Sequence, residues 1–254
     1  MSKNLENMSE ELVQKAKTFG ATSAESTVVQ NKSLTLETKN TKLEKVETAE
    51  SLELGLRVFI NSQSASVSIS NFNSDAIDEM ILRAIAMAKE AIPDELSGPA
   101  DINQILRSWN MKSFELFDIT YDDQNFEKCK NLALEVESAA LEVTDISQCE
   151  SAGFSSNYSN FHFTTSNGFS SGYQRTAFGL YCSAIAGTGS LMERDFASEG
   201  RTFLNDLPSA SSIGLLAANR ATARLKPKRP PTGLYPVLFD QRISSSLIGH
   251  LTAA

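Results

Sequence analysis

Apolar residues recur at helical spacing at Leu5, Met8, Leu12, Val13 and Ala16, and Gly20 follows where a residue without Cβ can take the left-handed cap conformation. The period then changes to two. Leu52, Leu54, Leu56, Val58 and Ile60 alternate with Glu53, Gly55, Arg57 and Phe59, and Ala65, Val67 and Ile69 alternate with serines, which predicts strands with one wet face. Asn61-Ser62-Gln63-Ser64 supplies the turn between the last two strands. A second helix is predicted from about Ser74, capped by Ser74 or Asp75, with Ile77, Met80, Ile81, Ala84, Ile85 and Ala88 on one face. Pro93 closes this unit.

The stretch from Pro93 to about Asp122 has weak periodicity and scattered apolar residues, Ile105, Leu106, Trp109 and Phe117, and reads as an ordered linker. Beyond it the order repeats. A helix with Leu132, Ala133, Val136, Ala139, Ala140 and Val143 inward is followed by strands around Phe161 and Phe163, a turn at Ser166-Asn167-Gly168, and a strand region from Tyr173 to Ile185. A further helix spans about Ser209 to Arg224. The pattern predicts an α+β fold: two helix, antiparallel strand meander, helix units, then the start of a third domain. The expected divisions are 1–95, a linker at 96–122, a central unit at 123–226, and a third unit from 232 to 254 with a strand at Tyr235 to Phe239. Apolar residues at Ile243, Leu247, Ile248 and Leu251 still run at helical spacing when the sequence stops at Ala254, so the reading expects a truncated third domain.

Length and composition sharpen this picture. With 254 residues and 41% hydrophobic composition the chain can form two cores, and its formal net charge of −8 opposes general nucleic-acid binding. Cys129, Cys149 and Cys182 are an odd, widely spaced set without a CxxC pair, which argues for reduced thiols in a cytoplasm over a disulfide framework or a thiolate zinc cluster. No uncharged apolar run is long enough to span a bilayer.

Candidate chemistry is sparse. Zinc hydrolysis needs neutral histidines and carboxylates gathered on one face, yet only His162 and His250 exist, in different units. His162, between Phe161 and Phe163, is expected to face solvent. Gly187-Thr188-Gly189 lacks the rest of a phosphate loop and reads as a turn. In Met192-Glu193-Arg194-Asp195 a strand would put Glu193 and Asp195 on one face and Arg194 on the other, as a solvated edge, an ion pair or a peptide-facing surface.

Gly20-Ala21-Thr22-Ser23-Ala24-Glu25, Gly55-Leu56-Arg57-Val58, Ser166-Asn167-Gly168, Met192-Glu193-Arg194-Asp195, Leu225-Lys226-Pro227-Lys228, and Pro236-Val237-Leu238-Phe239 leading to Gly249-His250-Leu251 occur in an order and spacing that resembles the TldD/PmbA family, also called modulators of DNA gyrase. The resemblance implies two N-terminal α+β units before a C-terminal domain, and a hetero-oligomeric metallopeptidase that trims or matures peptides. In the TldD-type subunit a His-Glu-x-x-x-His helix binds zinc. Here Gly249 and His250 stand at its first His and its Glu, which implies the PmbA-type (TldE-like) subunit: non-catalytic, without a cofactor of its own, with zinc in a TldD-like partner subunit. Asn167, Glu193, Arg194, Asp195 and His250 are the candidates for interface or peptide-path residues. The expected partners are that subunit and a peptide substrate, with no membrane, and the exposed partner face implies self-association. Two other readings stand beside it: a peptidase whose ligands lie beyond Ala254, and a binding protein that modulates DNA gyrase.

Overall fold

A computed structural model describes residues 5–105, 114–121 and 125–254. Trp109 and Leu106 of the linker lie outside the described residues. In chain order the elements are α1 (Leu5–Thr18), β1 (Ser23–Lys39), β2 (Lys42–Ile60), β3 (Gln63–Ile69), α2 (Ser74–Glu90), α3 (Phe126–Leu141), β4 (Ile146–Thr165), β5 (Ser170–Ala186), β6 (Glu193–Arg201), α4 (Ala210–Ala223) and α5 (Gln241–Ala253). The two units expected from the sequence recur as α1–β1–β2–β3–α2 and α3–β4–β5–β6–α4. Their strands join in one antiparallel sheet of order β3-β2-β1-β4-β5-β6, with β1 and β4 as neighbours at its centre. The mixture of helix and antiparallel sheet is the α+β class read from the sequence.

Long strands explain how one sheet carries two cores. β1 has 17 residues, enough to serve both units. Even positions towards its two ends face the helices: Ala24 and Val28 pack in a core with α1 and α2, while Leu36 packs in a second core with α3 and α4. The opposite face of the sheet carries serine, threonine and asparagine together with Phe161 and Phe163. Those rings are half-buried by cross-strand neighbours, Tyr173 at 5.3 Å from Phe161 and Phe169 at 6.0 Å from Phe163 between centroids.

Local chemistry sets the ends of the elements. Gly20, at φ +111°, turns the chain after α1, and the Ala21 N–H donates back to the Ala16 carbonyl at 3.0 Å. The cap of α2 is Asn73, one residue before the expected pair, because its Oδ1 reaches the Ala76 N–H at 2.7 Å. Asn40 and Thr41 both have positive φ, forming the two-residue turn between β1 and β2, and the Thr41 N–H donates to the buried Glu137 carboxylate of α3 at 3.0 Å. Residues Tyr235 to Phe239 form no strand; they run as an irregular segment that pairs with neither edge of the sheet, with Leu238 fully exposed. Alternation alone cannot make a strand where no partner is at hand.

The linker is pinned where it returns to the sheet. Asp118, buried, accepts from the Thr120 N–H at 2.9 Å, the Thr120 hydroxyl at 2.7 Å and the Leu204 N–H at 3.0 Å, while its own N–H donates to Thr176 Oγ1 on β5 at 2.9 Å. Replacing it by alanine strands these donors, and Asp118→Ala is expected to cost about 2 kcal/mol, read as a lower urea midpoint at unchanged slope. No helix among the described residues is long and apolar enough to cross a membrane.

Candidate functional site

The clearest charged constellation is built where β6 meets the two helices that follow it. As the alternation predicts, Glu193 and Asp195 share a face of β6 and Arg194 takes the other. Arg194 is exposed and pairs with Glu150 of β4, its Nη1 at 2.8 and 2.7 Å from the two carboxylate oxygens. Asp195 is buried, with 5% of its side chain accessible. It accepts from Arg224 Nε at 2.8 Å, Arg242 Nη1 at 2.7 Å and the Phe196 N–H at 2.7 Å. Burial by itself would raise its pKa, but the bonds from Arg242, the Phe196 N–H and Arg224 outweigh it and hold the carboxyl at about 2.

Arg242 also joins this network to α5. Asp240 caps that helix, accepting from the Arg242 N–H at 2.9 Å and from its Nε at 3.0 Å, and the guanidinium lies over the Phe196 ring, 5.5 Å from its centroid. Arg220 of α4 adds a bond to the Phe196 carbonyl at 3.0 Å. A carboxylate saturated by two guanidinium groups has no basicity left for proton transfer at neutral pH. The arrangement is a clamp that fixes where α5 begins.

Asn167 is not part of it. It sits in the β4–β5 turn, while Glu193 pairs with Ala186 at the far end of β5, so the 17 residues of that strand separate them. Asn167 donates to the Ala100 carbonyl at 2.6 Å and accepts from the Thr165 hydroxyl, tying the linker across the end of the sheet. His250 lies on α5 and is exposed. Of the five candidates, Asp195 is the one the structure connects to the helix that carries His250; Glu193 shares its face of β6, Arg194 pairs with Glu150 on the other face, and Asn167 lies apart.

His162 departs from the sequence reading. It lies on the helix-covered face beneath α1 and is 9% exposed, because the alternation of β4 puts Phe161 and Phe163, not the histidine, on the open face. Its Nε2 is 3.0 Å from Ser170 Oγ, which also lies 3.0 Å from Glu10 Oε1. Burial lowers its pKa despite the nearby Glu6 and Glu10. The Glu10 carboxylate bonds the serine, and a Cβ on Gly172 would lie 2.7 Å from Nδ1, so it is the β5 backbone that closes that side of the ring, where a nucleophile's base would need an orienting carboxylate. Periodicity gave no sign of this contact, which depends on where α1 crosses β4. Among the described residues, no three histidine, cysteine, aspartate or glutamate side chains are gathered for a metal ion.

Two family models match the chain: the PmbA/TldA metallopeptidase domain 1 over residues 24–88 and the PmbA/TldA metallopeptidase central domain over residues 119–225. A Haemophilus influenzae metalloprotease PmbA homolog is 29% identical over 238 residues, covering 93% of this chain and 52% of its own length. The metalloprotease PmbA of Escherichia coli O157:H7 is 28% identical, with 91% and 51% covered. The chain thus spans about half the length of the curated relatives it matches. A Bacteroides thetaiotaomicron protein described as a candidate modulator of DNA gyrase superposes with a TM-score of 0.87 at 19% identity, over 97% of this chain and 56% of that one. TldE from Thermococcus kodakarensis gives 0.68 at 15% identity, over 84% and 47%. At these identities the structural likenesses speak for the fold alone.

Proposed function

The chain belongs to the PmbA/TldD metallopeptidase family, and from that premise we propose that it forms the N-terminal half of a supporting, non-catalytic subunit of a zinc peptidase assembly. The observation that carries this reading is the sequence of α5. Set against His-Glu-x-x-x-His, its three chemistry-bearing positions hold Gly249, His250 and Ala254, so one imidazole stands where two zinc ligands and a general base are required. These residues do not fit a zinc ion, and no step of a reaction is assigned to them. The subunit's contribution is instead enclosure. The Asp195 clamp sets the start of α5, and β6, paired on one side only, offers backbone groups to an extended peptide while a TldD-like partner supplies the zinc. We place this assembly in the cytoplasm, with peptides as substrates.

The names of the curated relatives favour a second reading, in which the full-length protein is itself a metalloprotease with ligands beyond Ala254. Peptidase activity of the full-length protein, assayed alone and after mixing with its TldD-like partner, separates the two. The supporting role predicts chelator-sensitive cleavage only in the mixture. Cleavage by the protein alone, abolished by chelator, would establish the second reading.

A further inference from the structure

Cys149 of β4 and Cys182 of β5 are buried on the helix-covered face, 3% and 1% exposed, and their sulfur atoms are 3.8 Å apart. Neither is in a disulfide. The separation is that of two thiols in contact, and a bond between them, about 2.0 Å long, needs the sulfurs to close by roughly 2 Å. They belong to neighbouring strands, in positions offset by two residues: Cys149 pairs with Ala184, and Cys182 with Ala152.

What sets this pair apart is its place in the sheet. The register of β4 against β5 is irregular between Ile146 and Gln148 and again between Cys149 and Ser151, so Cys149 is flanked by two breaks in the ladder near the strand's end. Irregular pairing at a strand end is where local opening costs least, and such opening gives a small solute a route to a sulfur that the native state covers. We propose that Cys149 and Cys182 form a redox modification site, oxidised by a small peroxide to a cross-strand disulfide.

The two sulfurs have different roles. Cys149, flanked by the two register breaks and the less covered of the pair, is the sulfur that an opening uncovers and that attacks; contact with Cys182 also lowers its pKa, whereas that contact and burial raise Cys182. Its sulfur displaces hydroxide from hydrogen peroxide, giving a sulfenic acid. Cys182 then attacks that sulfur, its thiol proton leaves with the sulfenic hydroxyl as water, and the S–S bond forms. In balance, two thiols and one peroxide give one disulfide and two waters. The buried Glu137 carboxylate works against both thiolates.

The test treats the folded protein with hydrogen peroxide at neutral pH, quenches with acid, alkylates remaining thiols after unfolding, and maps the peptides. The expected product is a Cys149–Cys182 linked peptide, lighter by two hydrogen atoms than the reduced pair, with Cys129 recovered as the alkylated thiol. Recovery of Cys149 and Cys182 as alkylated thiols overturns the proposal. So does a disulfide that includes Cys129, or over-oxidation of Cys149 without linkage. In a second measurement, the folded variant Cys182→Ala or Cys182→Ser should leave Cys149 as a sulfenic acid that a dimedone-type reagent traps. Absence of that adduct in both variants removes Cys149 as the attacking sulfur.

Discussion

Gly214→Ala is expected to destabilise the protein by about 2 to 3 kcal/mol, even though alanine is the better helix former by roughly 1 kcal/mol. At this position α4 crosses α3 backbone to backbone. A Cβ added to Gly214 would lie 2.1 Å from the Val136 carbonyl oxygen and 3.0 Å from the Ala140 nitrogen, atoms of a helix that cannot yield without moving the core beneath it. Small residues elsewhere on the contact, Ala217, Ala218 and Ala221 of α4 against Ala133 and Ala140 of α3, allow that close approach and are all fully buried. The thermal midpoint should fall by roughly 5 to 10 °C. Gly249→Ala is the matched control. Nothing lies within 4 Å of the added Cβ there, so propensity alone acts and the midpoint should stay or rise slightly. A Gly214→Ala protein as stable as the parent would mean that α3 and α4 do not cross as closely as described.

Asp195→Ala is the second large effect. It leaves Arg224 and Arg242 without their shared acceptor, releases the start of α5 from β6, and is expected to cost about 2 to 3 kcal/mol. The same carboxylate makes stability depend on pH. Its pKa is held at about 2 in the folded chain against an ordinary value of 3.8, so the unfolded chain binds the proton first. The contribution is present in full above the unfolded value and is lost as pH falls from about 4 towards 2, on the order of 2 kcal/mol. Asp118, also lowered by its hydrogen bonds against the effect of burial, adds loss in the same direction. Denaturant titrations of parent and Asp195→Asn at pH 6 and pH 3 should show a smaller acid loss in the variant. Equal losses would mean that the clamp is not formed. Because the clamp involves only the first turn of α5, proteolysis at the segment after Pro230 should accelerate in the variant while the sheet stays protected.

Much of this architecture was legible in the sequence, for physical reasons that also mark where legibility ended. Helices α1, α2, α3 and α4 bury one stripe each, and a stripe leaves a period that can be read. The Gly20 cap and the Asn61 and Gly168 turns are readable because positive φ narrows the choice of residue. Period two is less informative. It marked strands in both units but not that β1 and β4 would meet and merge two meanders into one sheet, since pairing between distant segments leaves no local trace. Nor did it say which face of β4 is covered: Phe161 and Phe163 seemed the inward pair, yet the helices cover His162 and Thr164. Gly214 was invisible because a close helix crossing is a property of two elements. Asp195 stands out in the sequence as part of a charged cluster, while its two arginine partners, 29 and 47 residues further along, leave no local sign of the contact.

The proposed supporting role requires that α5 hold no zinc. The direct measurement is the metal content of the purified full-length protein, parent and His250→Ala, prepared without a TldD-like partner and analysed by mass spectrometry of the elements. The account predicts zinc far below one per chain in both. One zinc per chain in the parent, lost in His250→Ala, would contradict it and make His250 a ligand.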